Sequence, residues 1–210
     1  MKKAFYVVLD TETGGLKAKE NPILEIAIVV LDTKLKEVLR YETYIRPYGG
    51  LYIDPRALKA NGIKVSEVER SGISKKEAQK NIVSVFKQAM GGSSHPSRKP
   101  IVVGHNINFD INFLVEFFED SKWDFKDLVS DVIIDTMADA KRAYPDAPHI
   151  TLSACCEMSG IKLINAHRAM PDTLATADLF RFFCGKLSQR NSSKVEDRIK
   201  KSKTRETFQF

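Results

Sequence analysis

Two segments, Ala4 to Leu9 (AFYVVL) and Ile23 to Leu31 (ILEIAIVVL), are short, rich in β-branched residues and almost continuously apolar. A strand with one wet face alternates polar and apolar residues; these do not, so each must be covered on both sides. That requirement commits the chain to a sheet with packing layers above and below it. The first segment ends on Asp10, at the carboxyl end of its strand.

Val38 to Ile45 predicts a third, more exposed strand that stops before Pro47, and the short links between the three predict an antiparallel meander. Asp54-Pro55 is an N-cap with proline at the first helical position, and Gly62 is the stop of that short helix. Ser74-Lys75-Lys76-Glu77 has the capping-box pattern, after which Ala78, Ile82, Val85, Phe86, Ala89 and Met90 recur at helical spacing. Residues 91–100 (GGSSHPSRKP) form a loop by composition, without an assigned role. Ile101 to Gly104 is a further buried strand, and His105 to Asn108 turns into a helix with Ile111, Leu114, Phe117 and Phe118 on its inner face. A strand around Val132 to Ile134 leads into a helix from Thr136 to Tyr144. Thr151 caps another helix that ends near Gly160. The last long helix starts at Pro171 and is expected to bury Leu174, Ala177, Phe180, Cys184 and Leu187. Strands followed by alternating helices and strands describe an α/β fold, a mixed sheet flanked by helices, with ligands expected at the carboxyl ends of its strands.

A chain of 210 residues with 43% hydrophobic content suits one domain, read as residues 1–187, and carries no internal repeat. No apolar run reaches membrane-span length, and the Met-Lys-Lys start lacks a signal peptide's apolar stretch, so a soluble, cytoplasmic protein is expected. Cys155, Cys156 and Cys184 fit neither a disulfide framework nor paired zinc-ligand spacing, and read as helix-borne thiols. The net charge of +6 invites a polyanion partner, but its location weakens the inference. From Lys186 to Phe210 eight Lys or Arg stand against three acidic residues, a net of +5, which leaves about +1 for the body. Residues 188–210 are accordingly read as a basic, disordered tail.

Three segments carry the chemistry. Asp10-Thr11-Glu12 sets two carboxylates two positions apart at a strand end, so both project from one side and can reach one metal. Thr13, Gly14 and Gly15 follow as an uncluttered turn with free backbone N–H groups. Asp110 closes HNINFD in the first turn of its helix. Asp172 closes HRAMPD, five positions after His167. Each segment alone has an ordinary structural reading: a polar turn after a buried strand, a carboxylate on a helix dipole, a loop histidine.

Taken together, DTETGG, HNINFD and HRAMPD in that order closely resemble the DEDDh family of 3′-to-5′ exonucleases, known best from the proofreading subunits of bacterial DNA polymerase III. The resemblance runs from about Phe5 to Cys184 and includes Pro22 to Ile26, Asn61-Gly62-Ile63 and Asp135-Thr136. It implies a ribonuclease H-like mixed sheet flanked by helices. It also implies that Asp10, Glu12, Asp110 and Asp172 hold two Mg²⁺ or Mn²⁺ ions and that His167 is the general base. The expected products are nucleoside 5′-monophosphates released from single-stranded 3′ ends, with DNA favoured over RNA and the protein expected to be either a polymerase proofreading subunit or a free-standing nuclease. The RNase T and oligoribonuclease branches of the superfamily are the alternative. A non-catalytic binding module is a third reading, against which the intact acidic set argues.

Contacts to the terminal nucleotide are expected from the backbone of Thr11, Thr13 and Gly14 and from the Asn106 side chain. Leu16 and Phe109 would wedge or stack against bases, although Phe109 is equally a core aromatic at a helix start. Asn61 stands where many family members have histidine, which puts a contact there in doubt. The tail, ending in Phe208-Gln209-Phe210, suits docking on a DNA polymerase or sliding clamp.

Overall fold

The computed structural model describes residues 5–91 and 99–206, with side chains as far as Leu187. Its centre is a five-stranded sheet in the order β3-β2-β1-β4-β5. β1 (Tyr6–Thr13), β2 (Ile23–Leu31) and β3 (Glu37–Tyr44) form the expected antiparallel meander. β4 (Ile101–Gly104) and β5 (Ile133–Asp135) add parallel strands on the other side of β1. All nine residues of β2 are buried, the outcome that its unbroken apolar pattern requires.

Helices cover both faces. α1 (Pro55–Asn61) begins where Asp54 accepts from the Arg56 N–H and ends where Gly62 takes a φ of +67°. α3 (Lys75–Ala89) begins where Ser74 accepts from the Glu77 N–H. With α4 (Asn108–Phe118) and α5 (Phe125–Leu128) it covers one face, where Ile82, Phe86, Leu114 and Phe117 meet Val7, Leu9, Ile26 and Ile28. On the opposite face α8 (Ala169–Glu206) lays Ala177 and Phe180 against Val8, Ala27, Val29 and Val103. The outer side of α8 is buried as well: Ala175, Leu179 and Phe183 pack on α6 (Thr136–Ala143) and α7 (Leu152–Ser159) through Ala140, Cys155 and Cys156. This is the mixed sheet flanked by helices that the resemblance implies.

Several details differ from the sequence-based expectation. α2 (Val65–Ser71) was not foreseen: it buries only Val68 and no side chain caps its start, so it leaves little periodic signal. In α4 the buried stripe is Asp110, Phe113, Leu114 and Phe117, and Ile111 is only partly covered. The stripe follows the i, i+3, i+4, i+7 rule, but it begins on a carboxylate and so evades an apolar count. Leu187 is 55% exposed, because α8 has by then passed the edge of its packing partners. The α8 backbone stays helical to Glu206, where a disordered tail is expected from Ser188; residues 186–206 hold neither proline nor glycine to stop a helix. Residues 92–98 of the loop and Phe208-Gln209-Phe210 lie outside the described residues. Among the described residues no helix is long and apolar enough to cross a membrane, and all three cysteines are free thiols.

Candidate active site

Strand alternation decides what β1 presents at its carboxyl end. Asp10 and Glu12 share a face with Val8, the face covered by α8, and Thr11 points to the α4 side. Asp172 stands in the first turn of α8, buried, and meets them there. Asp10, Glu12 and Asp172 each bring a carboxylate oxygen within 4.8 Å of the others. Asp110 reaches the strand end from the α4 side and lies outside that trio. Its Oδ1 accepts from both the Thr11 N–H at 2.9 Å and the Thr11 hydroxyl at 2.7 Å. Thr11 therefore positions Asp110, and its backbone donor is not free for a nucleotide.

Without a cation this arrangement is electrostatically costly. Burial pushes the Asp10 carboxyl well above the usual range, and Asp110 and Glu12 push it further. Burial, followed by Asp172 and Glu25, raises Glu12 to about 8, against a partial offset from Asn61. Asp110 rises to about 7 through burial although both Thr11 bonds favour its charged form. Asp172 is also raised by burial, partly offset by the His167 N–H, which donates to its Oδ2 at 3.1 Å.

These residues fit a divalent cation. Asp172 Oδ1 is buried and has no hydrogen-bond partner, a condition native side chains avoid unless something else satisfies them. The donor set is all hard carboxylate oxygen, which suits magnesium or manganese better than softer metals. In chelator, the folded protein holds protons that the unfolded chain releases between a free glutamate's 4.5 and the value of about 8 at Glu12. Stability then falls as pH rises through that window, because the unfolded state binds fewer protons there than the native one. The chelated protein's melting temperature is expected to decline from about pH 5 to about pH 8, and millimolar Mg²⁺ or Mn²⁺ to flatten that decline. A flat profile in chelator, read by differential scanning fluorimetry, would mean the carboxylates do not converge as described.

The other predicted site residues fall into place unequally. His167 is exposed at the mouth of the acidic trio, in the left-handed region at φ +67°. Asn106 is also left-handed, at φ +64°, with its side chain exposed and its N–H bonded to Asp135 Oδ1. Phe109 is half-buried, its ring 4.9 Å from that of Phe113 and packed on the core. Leu16 is 84% exposed, as a wedge would be. The Gly14 N–H is not free: it donates to the Pro22 carbonyl at 2.8 Å. A Cβ at Gly14 would stand 2.9 Å from Pro22 Cδ, so this glycine serves a close approach of chain to chain. Thr13 is buried, and its hydroxyl donates to the Gly15 carbonyl at 2.6 Å.

Three neighbours of the site escaped the sequence analysis in this role. Asn61 is buried, donates to the Thr13 carbonyl at 3.3 Å and favours the charged form of Glu12. Glu25 is 1% exposed and stands directly across the ladder from Glu12, and Arg168 pairs with it. A carboxylate inside an otherwise apolar strand was the available signal for Glu25, since it cannot be buried there without a cationic partner. His105, by contrast, is structural: its ring nitrogens meet Thr136 Oγ1 and the Ile150 carbonyl, both at 3.0 Å.

The chain is similar to known exonucleases. The RNase T family model, described as exonuclease, matches residues 7–180. Ribonuclease T of Shewanella denitrificans is 32% identical over 180 residues, covering 83% of this chain and 77% of that protein. Ribonuclease T of Escherichia coli K12 is 32% identical over 185 residues, covering 85% and 84% respectively. Among solved structures, an exonuclease I superposes with a TM-score of 0.71 at 21% identity, over 92% of this chain and 45% of that one. E. coli exonuclease I in complex with a dT13 oligonucleotide gives 0.71 at 20% identity, over 93% and 43%. This chain therefore spans under half the length of those two structures, and at such identity the likeness concerns the fold.

Proposed function

We infer the activity from one premise: this chain belongs to the exonuclease family, of the DEDDh 3′-to-5′ kind. It hydrolyses nucleic acid from the 3′ end, and we propose that its substrate is single-stranded RNA. The DNA preference expected from the sequence gives way to RNA because the relatives that are 32% identical over most of both chains are named Ribonuclease T. The observation that carries the chemistry is the convergence of Asp10, Glu12 and Asp172 within 4.8 Å, with one Asp172 oxygen buried and unpartnered.

Those three carboxylates, with Asp110 beside them, would hold two Mg²⁺ or Mn²⁺ ions. When bound, such ions supply positive charge at the scissile phosphate and at the oxygens entering and leaving it. The chain's own residues do the rest. The His167 imidazole takes a proton from the attacking water at a ring nitrogen. The water oxygen bonds to phosphorus, the bond from phosphorus to the 3′ oxygen of the penultimate nucleotide breaks, that oxygen takes up a proton from solvent to become the new 3′-hydroxyl, and a nucleoside 5′-monophosphate departs. Asp172 acts twice: it belongs to the acidic trio and its Oδ2 holds the His167 backbone. The Asn106 side chain, Phe109 and Leu16 would meet the terminal bases, a reading supported by the exposure of Asn106 and Leu16 and the half-burial of Phe109. Thr11, Thr13 and Gly14 shape the floor beneath that nucleotide.

The test is to incubate 3′- and 5′-labelled single-stranded RNA and DNA of one sequence with the protein in Mg²⁺, in Mn²⁺ and in chelator. Stepwise shortening from the 3′ end, faster on RNA and abolished by chelator, is expected. Equal or faster trimming of DNA would return the substrate to the earlier expectation, and shortening from the 5′ end would sink the assignment.

A further inference from the structure

Arg168 lies between His167 and the start of α8, and the mechanism above makes no use of it. Its Nε and Nη2 donate to the two oxygens of Glu25 at 3.2 and 3.0 Å, a two-pronged pairing that only a guanidinium forms. Nη2 also reaches the Tyr44 hydroxyl, and the guanidinium carbon lies 5.4 Å from the centre of the Tyr44 ring. Glu25 sits on β2, buried on both faces, and Tyr44 is its register partner on β3. The anchor is thus the paired start of β2 and end of β3. The Ala169 N–H adds a bond to Glu25 Oε2 at 3.4 Å.

The other side of Arg168 is conformationally demanding. Residues 161–168 connect α7 to α8 without regular helix or strand until α8 begins. Asn165 and His167 both occupy the left-handed region, at φ +58° and +67°. Such a backbone is disfavoured for residues with a Cβ and persists where the surroundings over-determine it. At His167 the surroundings are two bonds to Asp172 and its helix: the His167 N–H to Asp172 Oδ2, and the Asp172 N–H to the Arg168 carbonyl, both 3.1 Å. Those bonds tie His167 to α8, and the clamp on Glu25 and Tyr44 ties the same point of the chain to the sheet.

We propose that Arg168 is a positioning residue, whose clamp on Glu25 and Tyr44 fixes the end of the 161–168 loop so that His167 faces the acidic trio. The inference rests on His167 acting as the base in the proposed function. Because both prongs of its fork are taken by a buried glutamate, Arg168 is not a free cation for substrate phosphates, and its loss acts on turnover and not on binding.

The test measures kcat and KM on 3′-labelled RNA for the wild type, Arg168→Ala, Arg168→Lys, His167→Ala and the double variant His167→Ala/Arg168→Ala. Arg168→Ala is expected to lower kcat about tenfold, in line with the cost of a small misplacement of a reacting group. KM should stay within about twofold. Lysine, a point charge without the fork, should restore only part of the loss. In the His167→Ala background Arg168→Ala should cost nothing further, since the residue it positions is gone. Amide exchange at the His167 N–H should speed up in Arg168→Ala while calorimetric Mn²⁺ affinity stays at the wild-type value. Unchanged kcat in Arg168→Ala, or the same loss in both backgrounds, would overturn the proposal. A wild-type protein that trims no 3′ end would instead remove the function on which it rests, and the exchange measurement would still report on the clamp. Should Arg168→Ala fail to fold around an uncompensated Glu25, the variant Glu25→Gln/Arg168→Met, which buries no charge and has no fork, carries the same comparison.

Discussion

Asp10→Ala is expected to remove nuclease activity almost completely while leaving the protein folded and, in chelator, more stable than the wild type. Asp10 stands at the centre of the site: Asp110, Glu12, Asp172 and Glu25 all raise its carboxyl, after burial itself. One ligand fewer disables the pair of cation sites, which supplies several kcal/mol of transition-state stabilisation, so a loss on the order of a thousandfold or more follows. The stability change has the opposite sign. Removing one desolvated carboxylate from a cluster without cations relieves its desolvation and lessens the repulsion felt by the others. The small side chain leaves little cavity, because Asp10 is only half-buried at the strand end. A gain of about 1 kcal/mol would raise the melting temperature of a chain this size by roughly 2–4 °C. Single-turnover assays in Mg²⁺ and melting curves in chelator decide both halves. Retained activity, or a lower melting temperature in chelator, would contradict the picture of an acidic cluster that exists to hold cations.

The contrast in sign between function and stability explains what the sequence made visible. β1 and β2 were legible because an unbroken apolar run has one physical solution, a strand covered on both faces, and all nine β2 residues are indeed buried. α1 and α3 were legible at their ends, where Asp54, Gly62 and Ser74 satisfy backbone groups that no other residue types satisfy as well. The acidic residues were legible for the opposite reason. Asp10, Asp110 and Asp172 stand next to apolar runs, where burial penalises them, and the same penalty appears in the folded protein as raised carboxyls.

What stayed hidden depends on contacts between distant segments. Glu25 and Arg168 are separated by 143 positions, and no spacing rule links them. Thr11 gave no sign that it would hold Asp110 from 99 positions away. The Gly14 N–H looked available because the turn it belongs to was legible, whereas its partner, the Pro22 carbonyl, was fixed only by how the loop closes. The burial of α8 on two sides, with Leu179 and Phe183 turned away from the sheet, needs α6 and α7 in place first. Local propensity reports what a segment can form, and these four cases are settled by what it meets.

His167→Ala separates cation binding from proton transfer, and its expected outcome follows from how the residue is held. Its backbone is bonded to Asp172 and its neighbour is clamped to the sheet, but its ring is exposed, and among the described residues no hydrogen bond restrains the imidazole. Truncating the side chain therefore removes no packing and no structural bond. The N–H that meets Asp172 Oδ2 belongs to the backbone and survives the substitution. Mn²⁺ affinity and melting temperature are expected to match the wild type, and kcat to fall about a hundredfold or more, the usual worth of a positioned general base. The left-handed φ of +67° sharpens the choice of control. Glycine adopts that conformation without strain, so His167→Gly should be at least as stable as His167→Ala and equally inactive. Single-turnover assays in Mg²⁺ and calorimetric Mn²⁺ titration of His167→Ala and His167→Gly make the comparison. A variant that kept the rate would move the base to another group and leave His167 as a bystander at the mouth of the acidic site.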